Sequence, residues 1–266
     1  MLARNELSKK ISNSNKNLKR KFKYPFEVIL PEKFVKWNKK WGAPYEKMFS
    51  YQANNNSRYF EYPWAFYAVK LKKGMNVLDF GGGLCGFQFM LSKCGVTVHN
   101  LDPGIKSKGS VDRPVNEDSI NKLNKKFKTK VKLYNDFIDK ANLPSNFYNI
   151  VYSISVFEHL QKNELKIVMK NVGRILKPGG FLVITLDLFP NIYPFTSKKT
   201  NRYGRNMSVK NMIELSGLKF IYGKKSELFG FKQFNAENIL KNLGKYIMGN
   251  NFPVLIQTVI LKKESL

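Results

Sequence analysis

The sequence is short of acids. Nineteen Asp and Glu stand against 46 Lys and Arg, for a formal net charge of +27. Such a surface attracts polyanions: RNA, anionic lipid headgroups or phosphorylated glycan carriers. The excess is mostly Lys, and Lys, Asn, Ile, Phe and Tyr all have A/T-rich codons. Codon bias therefore explains Lys over Arg, but not the shortage of acids. Cysteine is nearly missing. Cys85 and Cys94 are too few for a disulfide framework, and neither has a CxxC partner, so no zinc or other metal site is indicated. No apolar run reaches the ~18 residues of a membrane span. The most apolar stretch, Phe181 to Phe189, is broken by Asp187. Met1 to Glu6 lacks the apolar core of a signal peptide. These absences lead us to expect a reduced, cytoplasmic protein without a transmembrane segment. They leave the oligomeric state open.

What is present is most informative at Asn76-Val77-Leu78-Asp79-Phe80-Gly81-Gly82-Gly83-Leu84-Cys85-Gly86. An apolar run ends in a carboxylate and a glycine-rich turn, and Phe87 to Leu91 then reads as the start of a helix. Glycines let backbone approach a ligand closely, and a helix N-terminus offers free N–H groups. Gly81-x-Gly83-x-x-Gly86 also matches the dinucleotide fingerprint, with Asp102 about 20 residues on. Asp79 argues against NAD, because a carboxylate beside the turn repels a pyrophosphate. It suits a cofactor with a cationic amino-acid end, such as S-adenosylmethionine (SAM), which carries an ammonium and a sulfonium.

The segment resembles motif I of the class I SAM-dependent methyltransferases, acid-x-Gly-x-Gly-x-Gly. Asp79, Gly81 and Gly83 match, with Gly82 between them. Cys85 stands at the third glycine position and Gly86 follows one step later. The resemblance continues from about residue 70 to 190. Val96 to Asp102 is an alternating strand ending in an acid, and the family places the ribose hydroxyls on that acid. Val131 to Asn135 reads as a third strand, and the family puts Asp136 and Phe137 beside the adenine. Asn149 to Leu160 resembles the fourth strand with its Glu158-His159 ending. Tyr148-Asn149 replaces the usual Phe-Asp opening. Leu176-Lys177-Pro178-Gly179-Gly180 is the family's turn before the fifth strand; its glycines are structural. Ser153 joins the expected cofactor set of Asp79, Gly81, Gly82, Gly83, Cys85, Gly86, Asp102, Asp136 and Phe137. Asp102 has a plainer reading as a helix cap. His99, inside a strand, reads as a packed side chain.

The resemblance implies an α/β fold. A mainly parallel seven-stranded Rossmann-like sheet, order 3-2-1-4-5-7-6 with the last strand antiparallel, is flanked by helices on both faces. Helices are expected over Gly86 to Lys93, Ile120 to Lys126, Lys162 to Leu176 and Val209 to Leu215, and the last strands over Leu218 to Tyr222 and Val254 to Leu261. Residues 1–23 read as a basic flexible arm and 24–70 as an aromatic-rich N-terminal lid or extension. Residues 71–266 read as the core, with an insertion at about 225–252. The insertion's amphipathic stretch, Asn235 to Met248, either packs on the domain or rests on a membrane surface.

Methyl transfer from a sulfonium needs an aligned nucleophile, dryness and sometimes a base. His159 and Glu158 are the catalytic candidates, with His159 the better base since imidazole titrates near neutrality. Tyr62 and Trp64, in the aromatic run Arg58 to Trp64, and Arg202 and Arg205, in the basic loop after strand five, are the substrate-binding candidates. The expected reaction is O- or N-methylation of a small-molecule or glycan-like acceptor with an anionic group. The alternatives are an RNA methyltransferase using the basic surface, an NAD-dependent oxidoreductase, and a SAM-binding scaffold without turnover.

Overall fold

The computed structural model describes residues 30–106, 115–246 and 254–265. The basic arm and part of the insertion lie outside them. Seven strands form one sheet in the order β3-β2-β1-β4-β5-β7-β6. They are β1 (Asn76–Phe80), β2 (Thr97–Leu101), β3 (Lys132–Tyr134), β4 (Tyr148–Ile154), β5 (Leu176–Leu188), β6 (Lys219–Tyr222) and β7 (Leu255–Lys262). β1 pairs in parallel with β2 and β4, β2 with β3, and β4 with β5. β7 runs antiparallel to both β5 and β6. This is the fold class expected from the sequence.

Among the described residues seven α-helices cover the sheet: α1 (Glu32–Trp41), α2 (Arg58–Ala68), α3 (Gly86–Lys93), α4 (Glu117–Phe127), α5 (Lys162–Ile175), α6 (Val209–Ser216) and the short α7 (Ala236–Lys241). One face packs α1 to α4 through Phe34, Trp37, Phe60, Phe87, Phe89 and Leu123, joined by Ile150, Tyr152 and Val183 of the sheet. The other packs α5 and α6 through Val168, Met169, Val172 and Met212 on Val151, Leu182 and Ile184. The central strands are buried on both sides, which is why they read as continuous apolar runs rather than alternating ones.

Three elements differ from expectation for physical reasons. α4 begins at Glu117, three residues earlier than the apolar spacing predicts, because Asn116 and Ser119 form a reciprocal capping box. β5 reaches back to Leu176, since Leu176 already pairs with Tyr148 across a bulge and the N–H of Gly179 bonds to the carbonyl of Lys263. Residues 30–70 form α1, α2 and a 3-10 turn over Lys47–Tyr51, all within the main core. In the insertion, Ile239 and Tyr246 pack with Leu188 and Leu255, which favours packing on the domain for its described part.

Candidate active site

The carboxyl ends of the parallel strands gather the ionisable chemistry, as expected of an open α/β sheet. Gly81 and Gly83 have φ of +70° and +54°, a region that costs L side chains energy. A Cβ on Gly82 would lie 2.8 Å from Asp79 Oδ2 and 2.9 Å from Asn100 Oδ1. The turn is therefore pressed directly onto the end of β1. Asn100 donates from Nδ2 to the carbonyl of Gly83 (2.9 Å) and Gln88 from Nε2 to the same oxygen (3.0 Å). Cys85 caps α3: its sulfur accepts from the N–H of Phe87 (3.3 Å) and donates to Tyr62 Oη (3.0 Å). Burial pushes the Cys85 thiol up to about 12, so it stays protonated and serves as a cap rather than a nucleophile.

A cavity of about 70 Å³ opens beneath this turn, lined by Gln52, Arg58, Tyr62, Asp79, Gly81, Gly82, Cys85, Phe87, Ile154, Ser155 and Val156. A larger hollow of about 350 Å³ lies beside β3 and α4, between Glu117 and Leu133. It brings no convergent catalytic groups together, so we place the site at the smaller cavity. Asp79 is buried there, with no hydrogen bond or ion pair among the described residues. Its carboxyl is pushed up to about 7, by burial first and by the charge of Asp102 second. Asn100 Oδ1 is buried and without a partner. An unpaired carboxylate and a free carbonyl against a close-packed glycine turn fit a ligand that brings an ammonium and other donors, as SAM does.

The other expected cofactor residues are placed as follows. Asp102 accepts the N–H of Gly83 on Oδ2 (2.9 Å) and of Gly104 on Oδ1 (2.8 Å). Each carboxylate oxygen retains capacity for another donor. Its pKa is raised by burial, against those two bonds. Gly86 seats α3 against Met48 and Phe49, where a Cβ would come within 2.7 Å. Asp136 lies on the surface beyond β3, paired with Lys106 at 3.2 Å, and Phe137 beside it is exposed. Neither lines the cavity. Ser153 is buried inside β4 with an unpartnered hydroxyl and also stays outside the lining. Ser155, two residues on, takes that position.

Ser155 has φ of +48°, which turns it out of the strand direction. Its Oγ accepts from Arg58 Nη1 (2.7 Å) and lies 2.7 Å from Glu61 Oε1 and 3.1 Å from Asp187 Oδ1. Glu61 is fully buried and also accepts from Ser57 Oγ (2.8 Å), Thr185 Oγ1 (2.6 Å) and Arg58. Its pKa is lowered: burial raises it, but Arg58 and the three hydroxyls outweigh burial. Glu158 Oε1 accepts the N–H of Asp187 (3.3 Å), while Oε2 is buried without a partner. Burial lifts Glu158 to about 8, and lifts Asp187 well above the carboxylate range with Glu158 as second cause. Three carboxylates around one guanidinium cannot all ionise cheaply.

His159 is exposed at the end of the turn after β4. Desolvation lowers its pKa, opposed by the nearby charge of Asp187. The basic loop folds over this turn: the N–H of Arg205 bonds to the carbonyl of Glu158 (3.2 Å). The Arg202 guanidinium stacks on Tyr203 at 4.5 Å, and Arg205 donates to Gln161. Tyr62 lines the cavity, donating to Asn54 Oδ1 (2.7 Å). Trp64 packs toward Tyr222 of β6 instead. Sequence reasoning named the run Arg58 to Trp64 without singling out Arg58 or Glu61, and it missed Ser155 and Gln52, whose Oε1 accepts the N–H of Leu84 (3.0 Å).

Residues 51–214 match the family described as a methyltransferase domain. The chain thus belongs to this family, the class I SAM-dependent methyltransferases, and SAM is its cofactor. Many solved structures share the fold, two of them as follows. The [4+2]-cyclase SpnF aligns with a TM-score of 0.53 at 10% identity, covering 77% of this chain and 81% of that one. A SAM-dependent methyltransferase from Mesorhizobium loti aligns with 0.52 at 16%, covering 76% and 97%. These identities establish likeness of fold alone, and one fold hosts more than one chemistry. No curated protein matches the sequence. Among the described residues, no helix is long and apolar enough to cross a membrane.

Proposed function

We propose that this methyltransferase methylates an oxygen or nitrogen of a small-molecule or glycan-like acceptor with an anionic group. The observation that carries this reading is the pair of buried carboxyls, Glu158 and Asp187, behind the glycine-turn cavity at the ends of β4 and β5. Bound SAM supplies an activated methyl on a sulfonium. Asp79, Asn100 and the Gly81–Gly83 turn would hold its amino-acid end, and Asp102 its ribose. Ser155 and Arg58 form the cavity wall in front of the carboxyls. An acceptor hydroxyl or ammonium reaching past them would give its proton to Glu158 in its ionised form, which is populated as pH nears its raised value of about 8, with Asp187 as the neighbouring carboxyl. His159, on the outer side of the same turn, is the second candidate for that proton. Arg202 and Arg205 would meet the acceptor's anionic group at the rim, exchanging their present neutral partners for a charged one.

The test is a screen of metabolites and of structured RNA with methyl-labelled SAM, run on wild type, Glu158→Gln and Asp187→Asn. Label transfer to a small acceptor, with kcat reduced about 10²-fold or more in one carboxyl variant, supports the reading. Transfer to RNA that falls steeply with salt would replace it by an RNA methyltransferase.

A further inference from the structure

Two segments meet beside the site: the loop after β5, residues 190–206, and the described part of the insertion, residues 228–246. They are joined ring to ring. Tyr193 meets Phe229 edge-on at 5.8 Å, Phe229 meets Phe234 at 5.6 Å, and Phe234 meets Phe195 at 6.1 Å. Asn206 fixes the loop: its Oδ1 accepts the N–H of Phe189 (2.6 Å), and its Nδ2 donates to the carbonyls of Phe189 and Tyr193 (2.9 Å each). The inner side of the group packs on the domain through Ile239 and Tyr246. The outer side does not. Tyr193 is 58% exposed and Leu240 40%, and the three phenylalanines are only partly buried.

The charges around this face have one sign. The two segments carry seven Lys and Arg and a single acid, Glu237, which Lys241 takes. Lys198, Lys199, Lys232 and Lys245 are exposed and have no acid partner among the described residues. A second copy of the chain would bring the same charge and be repelled, and so would the chain's own basic arm. Single-stranded RNA would satisfy the lysines and stack bases on open ring faces, but these rings turn their edges to one another and Leu240 has no ring. An anionic lipid surface satisfies both halves of the pattern. Its phosphates meet the lysines, and its headgroup layer takes a tyrosine and a leucine. We infer that this face docks on an anionic lipid surface, with Tyr193 and Leu240 at the depth of the headgroups and the lysines on their phosphates. The N–H of Arg205 in the same loop bonds to the carbonyl of Glu158, so docking brings the Glu158 turn beside the headgroups. The docking stands apart from the acceptor reading above, and its test needs no acceptor.

The experiment is sedimentation of the full chain with vesicles of phosphatidylcholine, alone or mixed with phosphatidylglycerol. A chain of net charge +27 is drawn to anionic vesicles by any of its faces, so two variants of equal charge are compared. Lys198→Gln/Lys199→Gln/Lys232→Gln/Lys245→Gln strips the face. Lys70→Gln/Lys72→Gln/Lys73→Gln/Lys93→Gln strips four exposed lysines before β1 and at the end of α3, at the far end of the sheet. The first should lose about 10²-fold or more in affinity for the mixed vesicles and the second less than about fivefold. Tyr193→Ser/Leu240→Ser should lose about tenfold with its melting temperature unchanged, and Tyr193→Trp should bind more tightly. Equal losses for the two lysine sets would overturn the docking, since the charge of the whole chain would then suffice. Wild-type affinity in both the serine and the tryptophan variants would overturn it as well. Structured RNA that outcompetes the vesicles, and loses its binding only in the first lysine set, would give the face to a polynucleotide instead.

Discussion

Asp79 and Glu158 are both buried carboxyls with raised pKa values, but they differ in what can relieve them. Asp79 faces a cavity, and a ligand ammonium there favours its ionised form. With the free-protein carboxyl at about 7, ligand binding competes with a proton below that pH. Affinity for S-adenosylhomocysteine should therefore rise about tenfold per unit from pH 5 toward 7 and level off above it. Asp79→Asn should bind more weakly and lose the slope. A flat wild-type profile by calorimetry would remove Asp79 from the ammonium's neighbourhood. Glu158 has only partial relief in the free protein, from Arg58 and from backbone N–H groups, and burial outweighs it. Its folded pKa of about 8 lies above the unfolded ~4.3. The folded state therefore holds the extra proton, and stability is greatest at low pH and falls as pH rises between those values. Glu158→Gln should melt near wild type at pH 5 and higher than wild type at pH 8.5, the gap being on the order of a few kcal/mol. A gap that does not grow with pH would mean the carboxylate is relieved by water or a counter-charge.

At the scale of elements, the N-terminal turn Lys47–Tyr51 and α3 meet without space to spare. A Cβ on Gly86 would lie 2.7 Å from both backbone carbonyl atoms of Met48. Backbone cannot move aside as a side-chain tip can, so Gly86→Ala should cost about 1–3 kcal/mol of stability, read from urea unfolding. An unchanged midpoint would show that α3 can slide. This junction also marks where the sequence stops being legible. β1, β4 and β5 announce themselves as apolar runs, and α3 has the same limits in structure as in sequence, because the glycine turn before it and Lys93 near its end are local signals. α2 has no comparable signal. Its residues from Tyr59 to Ala65 are all buried, so no polar stripe marks its period, and Pro63 argues against a helix there. Glu61 finds its partners 94 and 124 residues away, in Ser155 and Thr185. Ser153 draws attention as a polar residue in the fourth strand, and only the left-handed turn at Ser155 brings the other hydroxyl to the cavity.

At the scale of the whole molecule, the basic excess and the acidic interior are separate facts. Among the described residues several exposed acids are taken up in one-turn helix pairs, such as Lys36 with Glu32, Lys122 with Asp118 and Lys241 with Glu237. Such pairs add little stability, and with 46 Lys and Arg against 19 acids most cations have no acid to pair with, so the surface field stays positive. The acids that matter chemically are inside, at the ends of β1, β4 and β5. A small anionic acceptor would cross the basic rim to reach a carboxyl-lined interior, so the rim should govern KM and the interior kcat. Arg202→Ala and Arg205→Ala should each raise the acceptor KM, by an amount up to the about 1.5–3 kcal/mol of a charged hydrogen bond, with kcat nearly intact. Removing residues 1–23 should matter little. An RNA substrate reverses the pattern, because phosphate contacts accumulate along a surface. Removing the basic arm would then weaken binding and flatten its salt dependence, while the two loop variants would do little. Kinetics of these variants at two salt concentrations separate the cases, and a large loss from the arm with none from the loop would overturn the small-acceptor reading.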